Sequence, residues 1–104
     1  MVENFKPYYA VIFTSVKAED DNNNYEDIAK RMVELAATQE GFIGIESARN
    51  EIGITISYWE NLEAIKNWKS NAEHLIAQQM GRDVFYKSYT TRICKVEREY
   101  SFEK

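Results

Sequence analysis

Residues 8–16, YYAVIFTSV, alternate between two faces. Tyr8, Ala10, Ile12, Thr14 and Val16 form one; Tyr9, Val11, Phe13 and Ser15 form the other. Both are largely apolar. A strand with one solvated face carries polar residues there, so this strand is expected to be covered on both sides. The pattern then changes period. From Tyr25, the positions Ile28, Met32, Leu35 and Ala36 recur at helical spacing, flanked by Ala29 and Val33, while Lys30, Arg31 and Glu34 point elsewhere. Asn23, or Asn24, with Glu26 suits the helix start as a capping-box-like pair. Gly41 suits its stop.

Residues 42–49 and 54–59 read as two further strands. Asn50, Glu51, Ile52 and Gly53 form a short hairpin loop, in which Asn and Gly can take left-handed backbone positions. Asn61 is placed to cap a second helix that carries Leu62, Ile65 and Trp68 inward. Ser70 and Asn71 are expected to interrupt it, with a second helical piece over 72–80 that ends at Gly81. Residues 83–87 read as a turn or short helix, and 89–96 as the fourth strand.

The order β-α-β-β-α-β is the ferredoxin-like split arrangement of an α+β fold: helices on one face of a four-stranded antiparallel sheet. The other face would be bare in a monomer. An exposed apolar sheet face is a liability, and a second sheet from a second copy of the chain covers it economically. The pattern therefore predicts a homodimer.

At 104 residues the chain is expected to form one domain, residues 1–104, with a core modest for its surface. Hydrophobic content of 44% excludes a disordered chain. A net charge of −4 argues against a nucleic-acid partner, which needs a basic patch. It also argues against RNA-recognition modules that share the topology, and against an anionic membrane surface. No apolar run approaches a membrane span. The first residues, MVENFKPYY, lack a leader pattern, and one Cys forms no internal disulfide. A cytoplasmic location is the expectation.

The stretch GFIGIESARNEIGITISYWENLEAIKNWKSNAEHLIAQQ (41–79) and the tail GRDVFYKSYTTRICKVEREYSF (81–102) resemble the antibiotic biosynthesis monooxygenase (ABM) family of small dimeric α+β barrels. The resemblance runs from Tyr8 to Phe102. It implies the barrel dimer and a small-molecule pocket between sheet and helices. It does not name a reaction, because the family holds oxygenases, haem-degrading enzymes and members of unknown activity.

Trp59, at the end of the third strand, matches the pocket Trp of cofactor-independent members. Trp68 matches the helix Trp that presses on the porphyrin in haem-degrading members. Both equally suit core packing at a sheet–helix seam. The resemblance puts the haem iron ligand ten residues after the helix Trp, which is Gln78 here, whereas His74 lies only six residues on. The strand-one Asn of those relatives is also missing, replaced by the run Phe13-Thr14-Ser15. Haem is therefore disfavoured and no cofactor or metal is expected. His74 has an unperturbed pKa near neutrality, suited to acid–base work, or it is simply a surface residue. Tyr86 and Tyr89 are placed at a pocket mouth or pack as aromatics. Arg49 and Arg98 read as solvated or ion-paired. Arg92, mid-strand beside Cys94 and Val96, needs a partner; it is read as a pocket or interface residue with Glu46 as candidate partner. Cys94 reads as a small buried hydrophobe.

The reading that combines these features is a cofactor-independent monooxygenase acting on a small phenolic or quinol-like molecule. Trp59 and His74 would do the chemistry, and Trp68, Tyr86, Tyr89 and Arg92 would hold the substrate. The alternatives are a stress-related binding module without turnover and, third, a haem-degrading enzyme.

Overall fold

The computed structural model describes residues 5–18, 25–79 and 86–104. The element order is β1 (Tyr8–Lys17), α1 (Tyr25–Ala37), β2 (Phe42–Arg49), β3 (Gly53–Trp59), α2 (Leu62–Gln79) and β4 (Tyr86–Val96). The strands form one antiparallel sheet in the order β2-β3-β1-β4. This is the ferredoxin-like arrangement the sequence pattern predicts.

The faces of the sheet follow from strand alternation and register. Trp59 pairs with Tyr9, Ser57 with Val11, Thr55 with Phe13 and Gly53 with Ser15. Trp59 packs with Ala36 of α1 and with Ala64 and Ile65 of α2, and Tyr9, Val11, Phe42 and Trp68 close around them. These residues therefore mark the helix side. Tyr8, Ala10, Ile12, Thr14 and Val16 mark the other side, which neither α1 nor α2 covers.

On α1, Ile28 and Ala36 are buried and Met32 and Leu35 half-buried, as their spacing predicts. Asn23, Asn24, Met80, Gly81 and Asp83 lie outside the described residues. Gly41 ends the helical turn with φ +87°, a backbone conformation that costs a residue with a Cβ. Its carbonyl accepts a 2.8 Å hydrogen bond from Glu60 N–H, which joins the exit of α1 to the approach of α2. Asn61 Oδ1 accepts from Ala64 N–H at 2.8 Å, the expected N-cap.

The structure corrects five expectations. Helix α2 runs through Ser70 and Asn71 without interruption. Buried Ala72 continues the inward stripe of Ala64, Ile65 and Trp68, and Asn71 Nδ2 donates 2.9 Å to Gln39 Oε1 at the end of α1, so packing overrides local propensity. Leu62 is 54% exposed, because Ala64 and Ile65 take the inward positions of the first turn. Strand β4 begins at Tyr86 rather than Tyr89: β1 extends to Lys17, and a bulge after Val16 lets Tyr86 pair with it. Gly53 is not left-handed. Its missing side chain leaves room for the Arg49 guanidinium, which lies where a Cβ would stand. Arg49 Nη2 thereby donates 2.5 Å to the buried Ser15 Oγ, so Arg49 is neither merely solvated nor held only by an ion pair.

Candidate active site on the helix side of the sheet

Trp59 is the largest fully buried side chain, with 0% exposure. Its ring stacks on Trp68 at 5.8 Å and 24°, and meets the edge of Phe42 at 5.4 Å and 75°. Burial leaves the indole N–H needing an acceptor. Ser57, two residues earlier on the same face, supplies one: Nε1 donates 2.9 Å to Ser57 Oγ. Trp68 is half-buried, so its ring links this packed centre to the surface.

Farther along the same face is a second aromatic group. Phe13 lies 5.3 Å from both Tyr86 and Tyr89, and those two rings are 5.8 Å apart. Phe13 is four residues from Tyr9, the partner of Trp59, so the groups are separated by roughly 13 Å at about 3.3 Å per residue. Between them run Val11 and Thr55, with Ile93 and Thr91 on β4. This strip is open: Ile93 is 52% and Tyr89 39% exposed. It offers apolar and aromatic surface with a few hydroxyls, the composition of a small-molecule site.

The other expected site residues fall elsewhere. His74 is exposed on α2, two residues beyond buried Ala72 and turned away from the stripe of Ile65, Trp68 and Ala72. Arg92 pairs with Ile12 and lies on the bare face. Glu46 shares that face and row, but on the far edge strand, three strand spacings or ~14 Å away. Arg92 and Glu46 therefore do not pair within one chain; there Glu46 accepts a 2.8 Å hydrogen bond from Tyr58 OH. Cys94 is exposed on the bare face of the edge strand β4 rather than buried, although its pairing partner Ala10 on the central strand is covered.

Two phenols on the bare face are perturbed. Tyr8 OH donates to Glu99 and its pKa is pushed up to about 12, first by that hydrogen bond and then by desolvation and the Glu99 charge. Tyr58 is raised by its bond to Glu46 and by desolvation. Their rings meet edge-on at 5.8 Å.

Ser57, Ser15 and Phe13 were not singled out from sequence as site residues. A Ser two positions before a strand Trp is the signal that finds Ser57. A cleft of about 380 Å³ at the hairpin end is lined by Tyr89 and Ser15 together with the bare-face residues Thr14, Val16, Ile54 and Thr90; another of about 250 Å³ lies by Pro7, Tyr8 and Ile43. Neither is lined by Trp59 or Trp68. Among the described residues no group of three or more His, Cys, Asp or Glu side chains is placed to hold a metal. No helix among them is long and apolar enough to cross a membrane.

Comparison with known proteins fits this geometry. The chain is 50% identical over 100 residues to the uncharacterized protein YqjZ of Bacillus subtilis, covering 94% of this chain and 87% of that one. It is 30% identical over 94 residues to the jasmonate monooxygenase ABM of Pyricularia oryzae, covering 85% of this chain but 43% of that protein. Among solved structures, SnoaB, a cofactor-independent oxygenase from Streptomyces nogalater, superposes with a TM-score of 0.64 at 12% identity, covering 96% of this chain and 100% of that one. That likeness concerns the fold. Residues 7–80 match the antibiotic biosynthesis monooxygenase family. With sheet order, helix placement and most of the chain's length in agreement, the protein belongs to the antibiotic biosynthesis monooxygenase family.

Proposed function

We propose that the protein is a cofactor-independent monooxygenase acting on a small phenolic or quinol-like molecule, one such domain per chain. The observation that carries the proposal is the open strip from Trp68 to Tyr89, aromatic at both ends, apolar at Val11 and Ile93, and lined with Thr55 and Thr91. Support also comes from the similarity to SnoaB, a cofactor-independent oxygenase, and to the fungal jasmonate monooxygenase.

The reaction asks little of the protein. A CH₂ group flanked by phenolic rings loses a proton to give a delocalised anion. The anion supplies the electrons to O₂, and after reprotonation a hydroperoxide stands on that carbon. Loss of water leaves a carbonyl: CH₂ and O₂ become C=O and H₂O, with no external reductant. The protein holds the flat substrate against the strip and donates hydrogen bonds to its oxygens. Trp68, Tyr86 and Tyr89 are assigned to holding it. Trp59 acts through Trp68 as its support. His74, on the outer side of α2, has no role at the strip of its own protomer, and Arg92 belongs to the bare face. Haem is not part of the proposal, since His74 points outward and the position ten after Trp68 is Gln78.

The same proposal includes a homodimer closed by the bare sheet face, and a cytoplasmic setting, which suits a chain with one cysteine. Oxygen uptake with a panel of phenols, hydroquinones and anthrone-like tricyclic phenols tests the activity. Chelator-insensitive uptake, matched by carbonyl product and lowered by Trp68→Ala, is expected. Uptake no faster than in buffer across the panel overturns the enzyme reading and favours a binding module, to be identified by ligand retention.

A further inference from the structure

The helix-side strip ends on a cation held in place by its neighbours. At the hairpin end the row across β2, β3, β1 and β4 reads Arg49, Gly53, Ser15, Tyr89. Arg49 starts on the edge strand, but its guanidinium crosses β3 over buried Gly53, where a Cβ would otherwise stand. Nη2 then donates 2.5 Å to Ser15 Oγ on β1. Ser15 is paired with Tyr89, one strand spacing or ~5 Å away. The next row inward holds Thr55, Phe13 and Thr91, two residues or ~7 Å along the strands. The guanidinium therefore stands at the Tyr89 end of the strip, one row beyond Phe13.

The charges of the strands are sorted in the same sense. Alternation puts Lys17, Arg49 and Lys95 on the helix side. The one carboxylate among the four strands, Glu46, lies on the bare face. In a chain of net charge −4, the strands thus offer only positive charge to whatever lies along the strip.

We propose that Arg49 is the anion-recognition residue of the strip, and that the molecule held there is an aromatic acid, a phenolic ring system that also carries a carboxylate. Resting on the strip as the substrate site, this assignment adds the charge of the substrate and the residue that reads it.

A guanidinium presents five N–H donors in a planar fork that matches the two oxygens of a carboxylate. Such charge-assisted bonds are roughly twice as strong as those to a neutral oxygen, so the fork favours a carboxylate over an uncharged ester. A long surface Arg is ordinarily ordered only when its ligand arrives, at a cost in affinity. Here the slot over Gly53 and the Ser15 hydroxyl order it beforehand. With the carboxylate on Arg49, the ring lies back along the strip over the row of Phe13 and Thr55, and the hydroxyls of Thr55 and Thr91 flank it. A merely structural Arg49, tying β2 to β1, would set stability and leave ligand choice untouched.

A matched pair of ligands tests this: a dihydroxyanthrone carboxylic acid and its methyl ester, titrated without oxygen by calorimetry. Wild type is expected to bind the acid about tenfold or more tighter than the ester. Arg49→Gln is expected to abolish the preference while ester affinity stays within about twofold, which also shows that the variant is folded. Arg49→Lys keeps the charge but not the fork and should retain only part of the preference. Gly53→Ala puts a Cβ in the guanidinium's place and should lower the preference although Arg49 is still present. Equal binding of acid and ester by wild type, or a preference that survives Arg49→Gln, overturns the role of Arg49 and leaves the strip standing as a site. Loss of both ligands in Arg49→Gln, with the wild-type preference intact in Arg49→Lys and Gly53→Ala, overturns it too. Binding of neither ligand by wild type overturns the strip and the assignment together.

Discussion

Trp59 Nε1 donates its hydrogen bond to Ser57 Oγ inside the same strand, and both residues are buried. The indole at the heart of the sheet–helix seam is thus satisfied by its own chain two residues back, and needs neither water nor ligand. Ser57→Ala should strand the indole N–H in the core and destabilise the protein by about 1–3 kcal/mol. Trp59→Ala should cost about 3–5 kcal/mol. Urea unfolding of both variants checks this. If Trp59→Ala loses less than about 1 kcal/mol, the ring is not a core support.

Gly41 is required by two features at once. Its φ of +87° disfavours any side chain, and an added Cβ would stand 2.7 Å from Ala64 Cβ. Gly41→Ala is expected to destabilise by about 2–4 kcal/mol, from backbone strain and overpacking together. Adding Ala64→Gly should relieve the second part only. The double variant should be less destabilised than the sum of the singles, measured by thermal and urea melts.

Alkaline stability should depend on Tyr8. An unfolded Tyr titrates near the ordinary value of 10.0, whereas folded Tyr8 holds its proton to about 12. Between these values the unfolded chain has lost a proton that the folded chain keeps, so rising pH favours unfolding. The contribution is whole below pH 10 and lost as pH passes 12. Tyr8→Phe should flatten this decline and remove the latest component of the tyrosinate absorbance titration.

The helix-side strip should separate binding from stability. Tyr89 is part exposed on an edge strand, so Tyr89→Ala should change unfolding free energy by less than about 1 kcal/mol. If the strip holds the substrate, the same variant should weaken binding of an active phenol about tenfold or more. Isothermal titration and a urea melt on one preparation read both. Equal affinity in wild type and variant would move the ligand away from Tyr89.

The sequence by itself determined the elements and the architecture. Period-two apolar faces on residues 8–16, the 3.6-residue spacing after Tyr25, and the Gly41 stop are local consequences of side-chain direction and backbone sterics, so they can be read along the chain. The apolar character of both faces of β1 also gave notice that one face would be left bare. Register, strand order and packing decided the rest. Arg92 and Glu46 look like partners along the sequence, but β3 and β1 stand between them. Ser70 and Asn71 look like a helix break, until Ala72 is seen buried and Asn71 bonded to Gln39. The aromatic residues Trp59, Trp68, Tyr86 and Tyr89 read as one constellation, and the sheet divides them into a packed pair and an open pair. Each of these outcomes depends on contacts between residues distant in sequence, where burial energy outweighs local preference, and only the tertiary structure fixes which distant residues meet.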